Sequence, residues 1–575
     1  MTGRTDVRPH VVVIGGGIAG LAAAFFLRDE PVRVTVLEGS PRLGGKLAAS
    51  DVAGVTMDEG AEALLARRPE GIELITAAGL ASDLVPAGVT SSAIYTRGAM
   101  RSLPRRQFMG VPADIDELAA TGVVSAEGVA RARKEMPGLA GALAASGTGA
   151  ETEAADISVT RYIAARLGVE VVDRLVDPLL GGVYAGRSED LSFQATLAPL
   201  AAAARRHPTL TEAAASLLPD RKAPAAPARQ APASDNSKRP AAGGGGAPST
   251  ESGDGSPDNS SSSGYSRSSG KGDSSGDSSS SDNSRSSGNS RSSRDSSSSG
   301  KSNSSGNGTP SGNGDKPAPV FVTLTTGLGA LPEAVAKASG ADIRVNAMVR
   351  ELRRTENGWR LTIGSAADPE YLDADAVIVA TPAAPAARLL RQAASGAAAQ
   401  LEQIPYASMA IVTLAFRAAD FPPRQRSGYL VPAVDGRAVK AATFSTLKWP
   451  HLARQAPVHI VRCSVGRSGD VAVLQRDDDD LADLAAAELA EAVGITARSV
   501  AQRVTRWGGG LPQYNVGHLD RVARIRQAVG EQPGLAVAGA AYDGVGIPAC
   551  IATARLAASQ IIAHLATAGG GSGSA

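Results

Sequence analysis

Three glycines and one carboxylate near the N-terminus have the types and spacing to hold a dinucleotide. In "VVVIGGGIAGLAAAFFLRDEPVRVTVLE", Gly15, Gly17 and Gly20 form GxGxxG, and Glu38 closes the next apolar run. The first glycine permits a tight turn, the second lets backbone approach a pyrophosphate, and the third allows close helix–strand packing. Phosphates at the start of the helix are favoured by its free amides and its dipole. Glu38 stands where a carboxylate accepts hydrogen bonds from a ribose. A lone GxGxxG is a weak signal. Here it follows a strand pattern, opens a helical one and has its acid at the right distance.

The positioning elements follow from periodicity. His10 to Ile14 reads as a buried strand, Ile18 to about Arg28 as a helix stopped by Pro31, and "VRVTVLE" as a second strand. Immediately past the acid lie Arg42 and a second glycine pair, Gly44–Gly45. Near the other end of the chain, the apolar "GLAVAGA" runs into "AGAAYDGVGIPAC", residues 538 to 550, a strand leading through a glycine-rich turn into a helix. The region from about 112 to 206 reads mostly helical, broken at Gly168 and stopped at Gly181–Gly182. Later strands are expected at "VFVTL", "MAIVTLAFR" and "HIVRCSVG", with a hairpin at Asn357–Gly358. Asp477 to Asp480 read as the acidic start of a helix that stops at Gly494.

The two glycine motifs, "GSPRLGGK" and "DEGAEALL" together resemble the flavoprotein family that includes amine oxidases, phytoene desaturases and protoporphyrinogen oxidases. The resemblance implies non-covalent FAD. It assigns Gly15, Gly17, Gly20, Glu38, Arg42, Gly45, Lys46 and Val349 to the cofactor site. It puts Gly60, Ala61, Glu62 and Trp507 beside the flavin ring. Ala540, Val545, Gly546 and Ile547 match the family's final turn, whose helix N-terminus faces the pyrimidine ring or the ribityl chain. That position answers why the chain ends in a strand, a turn and a helix: reduced flavin carries negative charge near N1, and a helix N-terminus stabilises it.

Longer stretches narrow the resemblance. "RRPEGIELITAAGL", "LVDPLLGGVYAG", "WPH" and "TRWGGGLPQYNVGHLDR" are similar to the bacterial HemY-type porphyrinogen oxidases, over nearly the whole chain except residues 221 to 317. This implies removal of six electrons from coproporphyrinogen III in haem biosynthesis, with dioxygen as acceptor and hydrogen peroxide as by-product. Protoporphyrinogen IX is the alternative substrate. An amine oxidase, a carotenoid desaturase and a non-catalytic flavin-bound scaffold are further readings. The flavin carries the hydride transfer, and no side chain stands out as a general base. Arg68 matches a basic position of the bacterial members, so it is the first candidate for a substrate carboxylate, followed by Arg67, Arg97 and Arg101. Trp449 is read as core, with a place flanking the flavin or substrate as its alternative. Ala61 replaces a common proline, Ala549 replaces a common aspartate, and Ser91 or Ser92 stands where eukaryotic relatives place a basic residue. Ferrochelatase is an implied pathway partner.

Bulk composition reads as that of a soluble protein. Apolar residues make up 43%, and 58 Lys plus Arg balance 57 Asp plus Glu, so nothing draws the whole chain to nucleic acid. Two scattered cysteines and six scattered histidines argue against disulfides and metal sites. There is no signal-peptide pattern and no long uninterrupted apolar run, so a cytoplasmic protein with at most peripheral membrane contact is expected. Residues 221–317 are Ser- and Gly-rich and are expected to be disordered. The fold expected is α/β: a Rossmann-like FAD-binding domain built from the discontinuous segments 9–90, 320–383 and 503–567. A helical cap lobe (98–206), a mixed α+β substrate domain (384–502) and a flexible tail (568–575) complete it.

Overall fold

The computed structural model describes residues 8–136, 156–219 and 319–570. The serine-rich segment 221–317 lies outside the described residues.

A five-stranded parallel sheet carries the glycine motif. Its strands run in the order Asp342–Arg344, Arg33–Leu37, His10–Ile14, Ala376–Val379 and Leu535–Val537. Segments far apart in sequence therefore build one sheet, as expected. The central strand is apolar at successive positions because both its faces are covered. Val11 and Val13 face the helices Ile18–Phe26, Leu331–Ser339 and Ile547–Gly570. Val12 and Ile14 face an antiparallel meander, Val349–Thr355, Gly358–Gly364 and Pro369–Ala374, and the helices packed around it. The hairpin expected at Asn357–Gly358 is its first turn, closed by the Thr355–Gly358 pair. Within the helix Ile547–Gly570, the stretch Ile547–Ala568 is long and apolar enough to cross a membrane by length and composition. Ile551, Ala554 and Ala558 are instead buried in the core with the helix Ile18–Phe26. This last helix runs through residues expected to begin the tail.

A seven-stranded sheet lies beside the first. Its order is Ala501–Pro512, Tyr406–Arg417, Val458–Val465, Val439–Phe444, Gly428–Leu430, Ser92–Thr96 and Ala99–Ser102. The helix Asp478–Val493 packs Leu481, Ala485 and Leu489 on one face. Its first turn holds Asp478, Asp479 and Asp480, and Gly494 ends it in the left-handed region at φ 69°. Two segments differ from expectation. The hairpin 92–102 and the strand Ala501–Pro512 both belong to this sheet rather than to the cap lobe or the dinucleotide domain. Alternation of apolar residues identifies a strand, but long-range pairing chooses its sheet.

The helical lobe is built from short capped helices, among them Ile115–Thr121, Val159–Leu167, Asp177–Tyr184 and Leu210–Ser216. Asp114, Ser158 and Thr209 accept hydrogen bonds from first-turn amides. Gly168 breaks the chain at φ 96°, as expected. Gly181–Gly182 does not. The helix continues through both glycines to Tyr184, because packing of Leu180 and Tyr184 in the lobe core overrides their poor propensity. The helix ends at Ala185, which is left-handed at φ 51°.

Candidate active site

A cavity of 1420 Å³ opens at the C-terminal ends of the parallel strands and continues under the free face of the seven-stranded sheet. Small-ligand pockets usually span roughly 300–1,000 Å³, so this volume accommodates a dinucleotide and a second large molecule. Its first part lies where strand order diverges on either side of His10–Ile14, the crevice in which open α/β sheets bind ligands.

The three glycines do different things there. Gly15 sits at φ 113°, and a Cβ on it would lie 2.8 Å from the Ala380 carbonyl oxygen. A Cβ on Gly20 would lie 1.9 Å from the Gly15 carbonyl oxygen, so helix and strand touch backbone to backbone. A Cβ on Gly17 would meet nothing within 4 Å. Gly17 caps the helix and lines the cavity, so its missing side chain leaves room for a ligand. The Glu38 carboxylate accepts from the Gly16 amide at 2.7 Å and the Ser40 amide at 2.8 Å. Arg42 donates to the carbonyls of Leu43, Leu47 and Gly45, so it braces its own turn. Lys46 lines the cavity, and burial lowers its ammonium from the ordinary value. The hydroxyl of Thr381, a lining residue, is buried without a hydrogen-bond partner among the described residues.

A second group pins residues 59 to 62. Trp507 Nε1 donates to the Glu59 carbonyl at 3.1 Å, and Arg462 Nη2 donates to the Gly60 carbonyl at 2.7 Å. Glu62 pairs with Lys448 at 2.7 Å and Arg462 at 2.6 Å. Burial alone would raise the Glu62 carboxyl; the two cations outweigh it and hold it at about 2.

The final turn is held from behind. Tyr514 donates its hydroxyl proton to the Ala540 carbonyl at 2.6 Å, and the Gly539 amide donates to Thr553 Oγ1 at 2.9 Å. His518 Nε2 lies 3.1 Å from the Tyr542 carbonyl and must donate, since a carbonyl only accepts. His518 stacks on Tyr514 at 3.9 Å between ring centres. Burial lowers its pKa to about 4. Ala540, Val545, Gly546 and Ile547 all line the cavity at the start of the last helix.

A family model for flavin containing amine oxidoreductases matches residues 18–218 and 253–562. The chain belongs to that family. It is 27% identical to the coproporphyrinogen III oxidase of Bacillus subtilis, covering 98% of this chain and 99% of the relative. It is 31% identical to the coproporphyrinogen III oxidase of Mycobacterium leprae, over 96% and 98%. A solved structure from Exiguobacterium sp. 255-15, described as a protoporphyrinogen oxidase, superposes with a TM-score of 0.69 at 26% identity, over 96% of this chain and 98% of the other.

The cavity of this flavin oxidoreductase fits its cofactor. Gly17 leaves an open cradle at a helix N-terminus, and Lys46 has no hydrogen-bond or ion-pair partner among the described residues. All sixteen residues assigned to the cofactor line the cavity except Gly20, which shapes it from within.

The substrate assignments divide. Arg68 lines the cavity, half-exposed and paired with Glu70 at 2.6 Å. Arg67, Arg97 and Arg101 do not line it. Arg67 points to solvent. Arg97 is committed to Glu170 and to the carbonyls of Gly122 and Val123. Arg101 lies against Gly122. The cavity lining therefore takes the first of the four candidates and leaves out the other three. Trp449 is 2% exposed and belongs to the core, as expected. Sequence reasoning missed Arg462, Lys448, Tyr184, Thr443 and Ser464. The alternation in "HIVRCSVG" puts Arg462 and Ser464 on one face of a strand, which was the available signal.

Proposed function

We propose that this flavin oxidoreductase converts coproporphyrinogen III to coproporphyrin III, with non-covalently bound FAD and with dioxygen as acceptor. The observation that carries the reading is the continuity of one cavity. The dinucleotide crevice opens directly into a slot walled by Leu65, Met409, Ile411 and Ala441 with Arg68 in its lining. A flat apolar macrocycle with carboxylates on its rim needs such a slot and a cation. The names of the two near-full-length relatives support coproporphyrinogen as the macrocycle.

Bound flavin supplies the two-electron acceptor. The chain supplies the rest. The amides after Gly17 would receive the pyrophosphate, and Glu38 would receive the ribose. Arg462, Lys448 and Trp507 hold residues 59 to 62 in place, and the turn at Ala540 to Ile547 presents a helix N-terminus. Six hydrogens leave the macrocycle in three two-electron steps, and three dioxygen molecules leave as hydrogen peroxide. Non-covalent binding is supported by the cysteines. Cys463 is fully buried in the seven-stranded sheet, and burial pushes the Cys550 thiol up to about 11, away from the reactive thiolate. In this reading the enzyme is cytoplasmic, has at most peripheral membrane contact and delivers its product toward ferrochelatase.

Protoporphyrinogen IX is the second reading, favoured by the description of the Exiguobacterium structure. Aerobic turnover of both porphyrinogens side by side, followed by porphyrin fluorescence and peroxide release, tests the choice. Preference for the copro substrate is expected. Preference for the proto substrate selects the second reading, and turnover of neither by flavin-loaded protein sinks both.

A further inference from the structure

Tyr184 ends the helix Asp177–Tyr184 with its side chain in the cavity lining and the residue only 7% exposed. Its hydroxyl bonds to no protein group among the described residues. Unlike the hydroxyls of Tyr429 and Tyr542, it is not among the sealed, unpartnered groups of the core. It meets the open volume of the cavity.

Three hydrogen bonds fix the backbone that presents it. Gln513 Nε2 donates to the Tyr184 carbonyl at 2.8 Å. The Ala185 amide donates to the Gly181 carbonyl at 3.0 Å, and the Ser468 amide donates to the Ala185 carbonyl at 2.7 Å. Ala185 is held left-handed without being glycine. Strain of this kind persists only where the surroundings over-determine it, and it concentrates at working sites. The Tyr184 ring leans on Tyr514, 5.6 Å between centres, and Tyr514 is the residue that holds the Ala540 carbonyl. One aromatic pair therefore spans the substrate slot and the flavin turn. The seven-stranded sheet contributes Ala441, Thr443, Arg462 and Ser464 to the same cavity, with Thr443 beside Arg462 and Ala441 beside Ser464 across neighbouring strands.

A porphyrinogen brings pyrrole N–H groups into this slot and strips them of water. Each then needs an acceptor. We infer that Tyr184 is a positioning residue whose phenolic oxygen accepts a hydrogen bond from a pyrrole N–H, fixing how the macrocycle sits in the cavity. The inference rests on the porphyrinogen reading above. Burial pushes the phenol up to about 12, so it stays protonated at working pH. It can accept from a pyrrole N–H of the substrate and donate to an imine nitrogen of the product. It is not a general base.

The test uses the full flavin-loaded chain and Tyr184→Phe, which keeps the ring and its contact with Tyr514. Flavin content and melting temperature should not change. The kcat/KM for coproporphyrinogen III should fall about tenfold, the size of one hydrogen bond. The Kd for coproporphyrin III, read from perturbation of the flavin absorbance, should rise by a similar factor. Unchanged turnover and unchanged porphyrin affinity overturn the inference. Loss of flavin or a lower melting temperature in the variant assigns the hydroxyl to the fold and overturns it too. Wild-type protein that holds flavin but neither oxidises nor binds a porphyrin sinks the underlying reading as well.

Discussion

Arg462 and Glu62 meet at 2.6 Å although 400 positions separate them. The pair fastens the seven-stranded sheet to the cavity-lining segment Gly60–Glu62. Removing the carboxylate charge strands two buried cations, which costs about 3–5 kcal/mol in comparable pairs. Glu62→Gln is therefore expected to lower the denaturant midpoint sharply and weaken flavin retention. The pH dependence has a definite sign. The folded pKa of about 2 lies below the ordinary 4.5. The contribution is full above about pH 4.5 and is lost as pH falls toward 2, roughly 3 kcal/mol in all. Acid titration of stability should show a flatter slope through that window in Glu62→Gln; an unchanged slope would remove the pair from the account.

The glycines of the first turn should separate by function. Gly17→Ala places a methyl in open cavity. It should fold with a loss of no more than about 1 kcal/mol and bind flavin at least about tenfold more weakly. Gly20→Ala drives a methyl into the Gly15 carbonyl. It should lose more than about 3 kcal/mol of stability. Thermal melts with visible flavin absorbance on the same samples distinguish them. Equal effects on both readouts would contradict the assignment of Gly17 to the ligand.

Arg68 lies in the cavity lining while Arg67 faces solvent. If Arg68 binds a rim carboxylate in ground state and transition state alike, Arg68→Ala raises KM and leaves kcat nearly unchanged. About tenfold is expected for a partly exposed charged hydrogen bond, diminishing with added salt. Arg67→Ala should change neither constant. Steady-state kinetics at two ionic strengths decides it, and a fall in kcat alone would argue for a different role.

What the sequence made legible was local. The turn after the first strand, the acid after the second and the glycine-rich entry to the last helix are each set by neighbouring residues. Gly15, Gly20, Glu38 and Gly546 lie where their spacing put them. Arg462 was not legible as a site residue, because its place depends on which sheet its strand joins and which face that sheet leaves uncovered. The same limit misassigned the strand Ala501–Pro512 and the hairpin 92–102. Arg97, a further candidate after Arg68, is spent on Glu170 and two carbonyls, partners that only the folded chain brings together. The stop expected at Gly181–Gly182 failed for a third reason, since lobe packing carried the helix on to Tyr184.

His518 provides a second acid-sensitive window, above that of Glu62. Its ring is fully buried, its Nε2–H holds the Tyr542 carbonyl, and its Nδ1 has no hydrogen-bond partner among the described residues to stabilise a proton taken up there. Burial sets its folded pKa at about 4, against 6.5 ordinarily. The unfolded chain therefore binds the proton first as pH drops. Stability is undiminished above about pH 6.5 and declines until about pH 4, by roughly 3 kcal/mol. Because His518 and its stacking partner Tyr514 brace the turn at Ala540 to Tyr542, flavin release should follow the same window. His518→Phe keeps the stack and removes the titration. It should lose about 1 kcal/mol at neutral pH with the hydrogen bond to Tyr542. Its melting temperature should then fall less than that of the wild type between pH 6.5 and 4, the remaining decline coming from His10, His451 and His459, whose pKa values burial also lowers. Parallel curves for the two proteins would mean that another group titrates there.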